Sequence, residues 1–370
     1  MNTKKKYLCK INNEFHNIIK KNPHTVHFFC DIKDVINCDK NKCDDKGYKY
    51  ERDIEEEIED SNIKLNDVKD LYYQENPKEL LDENSKYVDY LDRGQRPTTT
   101  LHWGQLKLFL STLQFLLYYA PRSQKVHVVY AGSADGNNIN VITKMFPQCY
   151  WYLVDPRPHY YLLYKNPRVL EIKKEYFTNE VANYYKKKLK GEFVLFMSDI
   201  RLEPTEELIA KDLVMQQDWV DIIEPEYSQL KFRLPRTGKK YNYYEGEIYY
   251  QIYPQEASTE TRLVTKKGAK KIEYDVEDYE GKCYYHNRVS RASNYKQTIK
   301  HSKSFLDNCY DCTMFLILLD KYRKKYKKMF DYGKIKDSNM DYLIDFVISQ
   351  LGRYNKLETK TKEILDNLNF

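Results

Sequence analysis

From residue 94 onward the hydrophobic pattern switches repeatedly between two periods. Residues 105–119 form an apolar run with few polar interruptions, long enough for four helical turns and closed by Pro121. Residues 125–131 are rich in β-branched and aromatic side chains and predict a strand. The alternation then continues: a helix over 137–146, strands over 150–154 and 169–172, a helix over 177–189, a strand over 193–197, and a long amphipathic helix over 206–223. Three further strands are expected at 229–234, 247–253 and 261–265, and a helical tail from about Tyr295 with apolar stripes at 315–319 and 342–351. Strands separated by helical crossovers predict an α/β fold with a mostly parallel, doubly wound sheet and helices on both faces.

The first 95 residues have a different texture. Lys, Asn, Asp and Glu dominate, with an acidic run at 51–60. Three units follow: an N-terminal appendage (1–95), a central α/β domain (96–295) and a C-terminal helical extension (296–370). His24, His27, Cys30, Cys38 and Cys43 lie close together in the appendage, but their spacing fits no standard pair of zinc knuckles, so no metal is assigned. Cys309 and Cys312 have CxxC spacing outside a thioredoxin-like context and read as structural.

Composition adds two constraints. Thirty-six Tyr against 12 Gly argues for a folded chain with many half-buried rings, and a net charge of +6 permits nucleic acid as a partner without requiring it. Eight scattered cysteines and a charged N-terminus predict a reducing, intracellular setting; no apolar stretch is long enough for a bilayer, so a soluble protein with no membrane partner is expected. The basic run 321–328 reads first as a solvated helix face.

Two features carry candidate chemistry. Tyr130-Ala-Gly132-Ser-Ala-Asp-Gly136 lies where the first long strand feeds a helix, and glycines there let backbone amides approach a ligand. Asp155 ends the next strand, where a carboxylate can accept from both hydroxyls of a ribose. The turn lacks the second glycine of a dinucleotide fingerprint, which disfavours a nicotinamide cofactor. The second feature is a set of four charged residues that border apolar stretches: Lys107, Asp199, Lys231 and Glu260. Such groups are seldom buried unless paired, so the two lysines and two acids are expected to meet in one cleft. A lysine in a partly desolvated site has a depressed pKa and can act on a ribose hydroxyl as a base.

Gln105-Leu-Lys-Leu108, the 130–136 turn, Leu153-Val-Asp-Pro-Arg157, Ser198-Asp-Ile-Arg201, Leu230-Lys-Phe-Arg-Leu-Pro235 and Ser258-Thr-Glu-Thr-Arg-Leu263 occur in this order. Together, over about residues 100–290, they resemble the poxvirus-type cap-specific mRNA 2′-O-methyltransferases, which also serve as the small processivity subunit of poly(A) polymerase. The resemblance implies a large DNA virus as the source and a place in the host cytoplasm or the virion. It also implies a Rossmann-like S-adenosylmethionine-dependent methyltransferase fold, S-adenosyl-L-methionine as cofactor, capped mRNA as substrate and a viral poly(A) polymerase catalytic subunit as partner. The alternative function it carries is that of a non-catalytic RNA-binding processivity subunit. By motif, the catalytic tetrad falls on Lys107, Asp199, Lys231 and Glu260, with Lys231 assigned to the 2′-hydroxyl. Cofactor contacts fall on Gln105, Tyr130, Gly132, Gly136, Asp155 and Arg157. Arg233, Ser258 and Thr259 would face the transcript, and Glu280 would read the cap guanine edge. Arg236 stands where the family has an aromatic ring against the cap, and Tyr87 or Tyr90 is the candidate for the other face.

Overall fold

The computed structural model describes residues 73–74, 76–89, 104–254, 258–291, 294–303, 306, 308–326 and 339–351. The 24–43 His/Cys group, Tyr90 and the end of the 321–328 basic run lie outside these residues. Two short strands, β1 (Tyr73–Gln74) and β2 (Leu80–Leu81), come first. Helix α1 (Gly104–Tyr119) leads into β3 (Val126–Ala131), α2 (Asn137–Met145), β4 (Cys149–Val154), a 3-10 turn (Tyr161–Lys165) and β5 (Val169–Lys173). Then follow α3 (Asn179–Lys188), β6 (Val194–Ser198), α4 (Glu206–Ile223) and β7 (Tyr227–Phe232). The chain continues through β8 (Lys240–Tyr244), β9 (Glu247–Tyr249), β10 (Thr261–Lys266), β11 (Lys271–Asp275), α5 (Val276–Tyr285) and β12 (Asn294–Tyr295), and on to α6 (Tyr310–Tyr326) and α7 (Met340–Gln350).

Eight strands form one sheet in the order β2-β9-β10-β7-β6-β3-β4-β5. The five from β5 to β7 are parallel, while β10, β9 and β2 run antiparallel to their neighbours. The chain winds outward one way from β3 through β4 to β5, then the other way through β6 to β7. The order therefore reverses beside β3, and the crevice outside the carboxyl ends of β3 and β6 is where an open α/β sheet takes its ligand.

Side chains along β3 alternate between the two faces as the strand period requires. Val126, Val128 and Tyr130 pack with α1, α2, α6 and α7, while Val129 and Ala131 pack with α3, α4 and α5. The helices start where capping chemistry starts them. Thr178 and Thr205 each accept from the third amide on, Val181 and Leu208, and Asp275 does the same for Asp278. α4 ends on Glu224 in the left-handed region, at φ 53°.

Several expectations are corrected. The 247–253 strand stops at Tyr249; the chain leaves the sheet there, and Tyr253, at φ 57°, donates its amide to Asp311. The 229–234 strand lies two residues earlier, at Tyr227–Phe232. β8 and β11 pair antiparallel in a separate ribbon that was not anticipated. Tyr295 does not begin a helix: it belongs to a short strand parallel to β1, and the helix begins at Tyr310. Residues 76–89, assigned by sequence to the appendage, supply the outermost antiparallel strand of the sheet. The C-terminal helices share the core of the central domain, with Phe315, Leu316 and Ile344 fully buried alongside Phe109 and Val128. Cys309 and Cys312 are buried and form no disulfide, the Cys309 sulfur accepting from the Cys312 amide, and among the described residues no helix is long and apolar enough to cross a membrane.

Because Phe315 fills this shared core, Phe315→Ala is expected to cost about 3–5 kcal/mol. It should lower the thermal midpoint by roughly 6–20 °C in one cooperative transition. Scanning calorimetry that showed the tail melting on its own would contradict the shared core.

Candidate active site

Strand register assembles the charged cluster. β7 ends where the antiparallel β10 begins, so the last residues of one and the first of the other lie at the same edge. Lys231 pairs directly with Arg262 across that ladder, and Glu260 sits just before it. Asp199 follows β6, its amide bonded to the Ala131 carbonyl. The face is set by α1: Gln229 donates to the Ser111 carbonyl of that helix, so Lys231, two residues on, points to the same side. Lys107, one turn before Ser111, meets it there.

The four residues chosen from the sequence lie together. Lys231 Nζ is 3.2 Å from Asp199 Oδ1 and 3.4 Å from Glu260 Oε2, and Lys107 Nζ is 3.6 Å from Glu260 Oε1. Their side chains are only 11–15% exposed. A fifth member, Arg262, is 4% exposed and bridges both acids, at 2.7 Å to Asp199 and 3.0 Å to Glu260. Gln251 donates to Glu260 Oε1 at 2.7 Å, and Arg201 lies 3.7 Å from Oε2 while pairing with Asp212. Arg262, Gln251 and Arg201 were not singled out from the sequence. Arg262 and Arg201 stand inside quoted motifs, and the available signal was a guanidinium in an otherwise apolar strand.

Burial raises the carboxyl pKa values, but the cations override it. Lys231 and Arg262 hold Asp199 below the usual range, and Lys231 and Lys107 hold Glu260 well below it. For Lys107 the balance is reversed: burial pushes its ammonium down, and the attraction of Glu260 only partly restores it.

The glycine turn adjoins this cluster. Gly132 (φ 73°) and Gly136 (φ 67°) flank Ala134, itself at φ 50°. A Cβ on Gly132 would stand 3.0 Å from the Ile200 amide, and one on Gly136 would stand 2.7 Å from Leu163 Cδ1, so both positions demand glycine. Gln105 ties α1 to the turn by donating to Asp135 at 2.7 Å and accepting from the Asn138 amide. Asp155, buried at the end of β4, accepts from the Ala134 amide at 2.8 Å and from the Arg157 amide and guanidinium at 2.9–3.1 Å. Burial raises Asp155, but the Arg157 and Ala134 bonds outweigh it and keep it ionised. Arg157 is largely exposed, so its guanidinium can swing off the carboxylate. Tyr130 lies inside β3, where its hydroxyl is near enough to Asp199 and Arg262 to feel both charges; burial is the main reason its pKa is raised.

The residues expected to meet the transcript and cap form a neighbouring group. Arg233 pairs with Glu206 at 2.6 Å, and Ser258 Oγ accepts from the Glu260 amide. Thr259 does not face a transcript. It is 3% exposed, and its hydroxyl donates to Glu280 Oε1 at 3.2 Å. Glu280 also pairs with Arg236 at 2.5 Å, so Arg236 is engaged by its charge rather than as a free stacking plane. The Tyr87 ring lies against Gly281, where any Cβ would strike Cε2 at 2.1 Å, which places that ring beside Glu280.

The family model described as poly A polymerase regulatory subunit matches residues 71–352. The chain belongs to this family. The cap-specific mRNA (nucleoside-2′-O-)-methyltransferase of Myxoma virus (strain Lausanne) is 27% identical over 276 residues, which is 67% of this chain and 81% of that protein. Its namesake in Fowlpox virus (strain NVSL) is 28% identical over 279 residues, 69% of this chain and 84% of that protein. Among solved structures, bluetongue virus VP4, described as a multifunctional RNA-capping production line, aligns with a TM-score of 0.39 at 14% identity, over 62% of this chain and 39% of that one.

Two outcomes follow from the charge balance. The depressed acids contribute stability that is fully present above their ordinary pKa values. It is lost only as pH falls through the lowered folded-state values, so acid unfolding should be steep below the usual carboxylate range. For Lys107, whose folded-state pKa is lowered, the unfolded chain binds more protons between that value and 10.5, so its charge costs stability at neutral pH. Lys107→Met is therefore expected to leave the thermal midpoint unchanged or raise it; a clear fall would show that the Glu260 pair outweighs desolvation.

Proposed function

We propose that this chain transfers a methyl group from S-adenosyl-L-methionine to the ribose 2′-oxygen of the first transcribed nucleotide of capped mRNA. The observation that carries this is the placing of Lys231 between Asp199 and Glu260, at the edge of the crevice that the glycine turn opens. The donor set fits the cofactor: an ionised carboxylate, Asp155, at the end of β4, beside a glycine turn at the carboxyl end of β3, where an open α/β sheet takes its ligand. When bound, the cofactor supplies an electrophilic methyl group on a sulfonium.

The chain's own residues do the rest. Asp155 would accept from the cofactor's ribose hydroxyls, and Gln105 keeps the turn in place against α1. Lys231 Nζ would meet the 2′-hydroxyl and, in its unprotonated form, take up the hydroxyl proton as the oxygen–carbon bond forms and the methyl–sulfur bond breaks. Asp199, Glu260 and Arg262 fix the position of that Nζ, so the hydroxyl oxygen is aimed rather than free to turn; such positioning supplies a large share of a barrier reduction. Glu280, beside Tyr87 and Arg236, is suited to a guanine that carries a positive charge, because a charged acceptor discriminates better than a neutral one.

A second reading rests on the family description. A regulatory subunit of a poly(A) polymerase attaches to a catalytic partner, and the two roles are compatible. Co-purification with such a polymerase, together with RNA binding indifferent to the cap, would favour it.

Lys231→Ala should lower methyl transfer to capped RNA by roughly 10²–10⁴-fold while cofactor binding, read by thermal shift, persists; full activity would end the assignment. Glu280→Gln should reduce the preference for capped over uncapped RNA by about tenfold or more, as expected for loss of a charged hydrogen bond. Unchanged preference would place the cap elsewhere.

A further inference from the structure

Positive charge is concentrated in one stretch. Residues 161–190 carry eight Lys and Arg against three Glu, whereas the whole chain of 370 residues has a net charge of only +6. This stretch builds one side of the molecule: the 3-10 turn, β5 and α3. β5 is the last strand of the sheet, so its outer edge has no neighbouring strand among the described residues.

The same side presents Tyr161, Tyr164, Leu170, Tyr176 and Tyr184 to solvent, with Tyr161 64% and Tyr176 68% exposed. Lysines stand over two of these rings. Lys174 Nζ is 5.8 Å from the Tyr164 centroid, and Lys173 and Lys188 are 4.3 and 5.1 Å from that of Tyr184. Open rings at a sheet edge invite pairing with other chains, and interleaved lysines discourage it by like-charge repulsion. Rings plus cations are the combination that holds a single-stranded nucleic acid: the rings stack bases of any sequence, and the lysines follow the phosphates.

The location suits such a ligand. Lys173 is the last residue of β5, and its carbonyl accepts from the Asp155 amide, so this surface begins at the edge of the sheet that carries the charged cluster. β5 stands four strands from β7, about 19 Å at ~4.8 Å per strand.

We propose that the β5 edge, with Tyr164, Tyr184, Lys173, Lys174 and Lys188 of α3, which lies on Glu171 of β5 and over the Tyr184 ring, is a sequence-independent seat for single-stranded RNA. The RNA is the continuation of the strand whose first nucleotide lies at Lys231. Only that last point rests on the methyltransferase reading; the seat itself does not.

The test is RNA affinity, measured by fluorescence anisotropy without methyl donor, for a 6-nucleotide and a 40-nucleotide RNA of mixed sequence. The wild-type protein should bind the longer RNA more tightly, with a steep salt dependence. Tyr164→Ala with Lys174→Ala should weaken the 40-nucleotide complex by about tenfold or more, as loss of one stacking ring predicts. Lys187→Glu with Lys188→Glu, both exposed on α3, provides a second variant independent of the turn and should flatten the salt slope by about one for each phosphate no longer neutralised. Equal affinity of the wild type for the two lengths would overturn the proposal. So would variants that keep wild-type affinity and salt slope while folded, as judged by thermal midpoint. Loss of methyl transfer with length-dependent binding intact would remove the methyltransferase reading and leave the seat standing.

Discussion

Two carboxylates held within reach of one ammonium, away from water, remain ionised only where more positive charge surrounds them. Asp199 and Glu260 meet that condition first through Lys231, and also through Arg262, a rigid fork buried in the sheet that contacts both acids. Removing Lys231 or Arg262 would leave both acids short of compensation in a poorly solvated place, which is far more costly than losing a surface pair. The cluster is in this sense a single object. It exists because β10 runs against β7, so that the start of one strand and the end of the other coincide.

The same geometry joins the cluster to the glycine turn. β3 contributes Tyr130 to the charged side and, one residue beyond its end, Gly132 to the turn; β6 follows with Asp199, bonded back to Ala131. Lys231 and Asp155 thus both lie at the carboxyl ends of the parallel strands, three strands apart in the sheet. Neither needs a flexible loop to bring it into place, and α1 spans both, with Gln105 on the turn and Lys107 on the acids.

The parallel half of the fold was legible because each of its elements is long, periodic and bounded by a cap or a proline, as with α4 and its Thr205 cap. The antiparallel half was harder to read. β8 and β11 are separated in the chain by two strands of the main sheet, and their tyrosine-rich pattern shows no strict alternation. The 247–253 run looks like a strand throughout, but an acid 58 residues away in the chain turns its last part out of the sheet. At the site, the four charged residues could be picked out because each interrupts or borders apolar sequence. Arg262 meets the same description and was passed over, since only the register reveals that it faces Lys231. Thr259 was misplaced for a related reason: neighbouring side chains point opposite ways, and a short motif does not say which of them turns inward.

The far end of α1 has its own fastening. Tyr118 donates to Glu79 at 2.6 Å, Gln114 donates to the same carboxylate, and Lys321 of α6 closes on both Glu79 and the Tyr118 hydroxyl. The rod that presents Lys107 is thereby moored to residues 28 positions upstream and more than 200 downstream of it. A chain trimmed to start at residue 96, or cut before α6, would retain every charged member of the cluster and yet lose the mooring that keeps the first turn of that rod in register with β7.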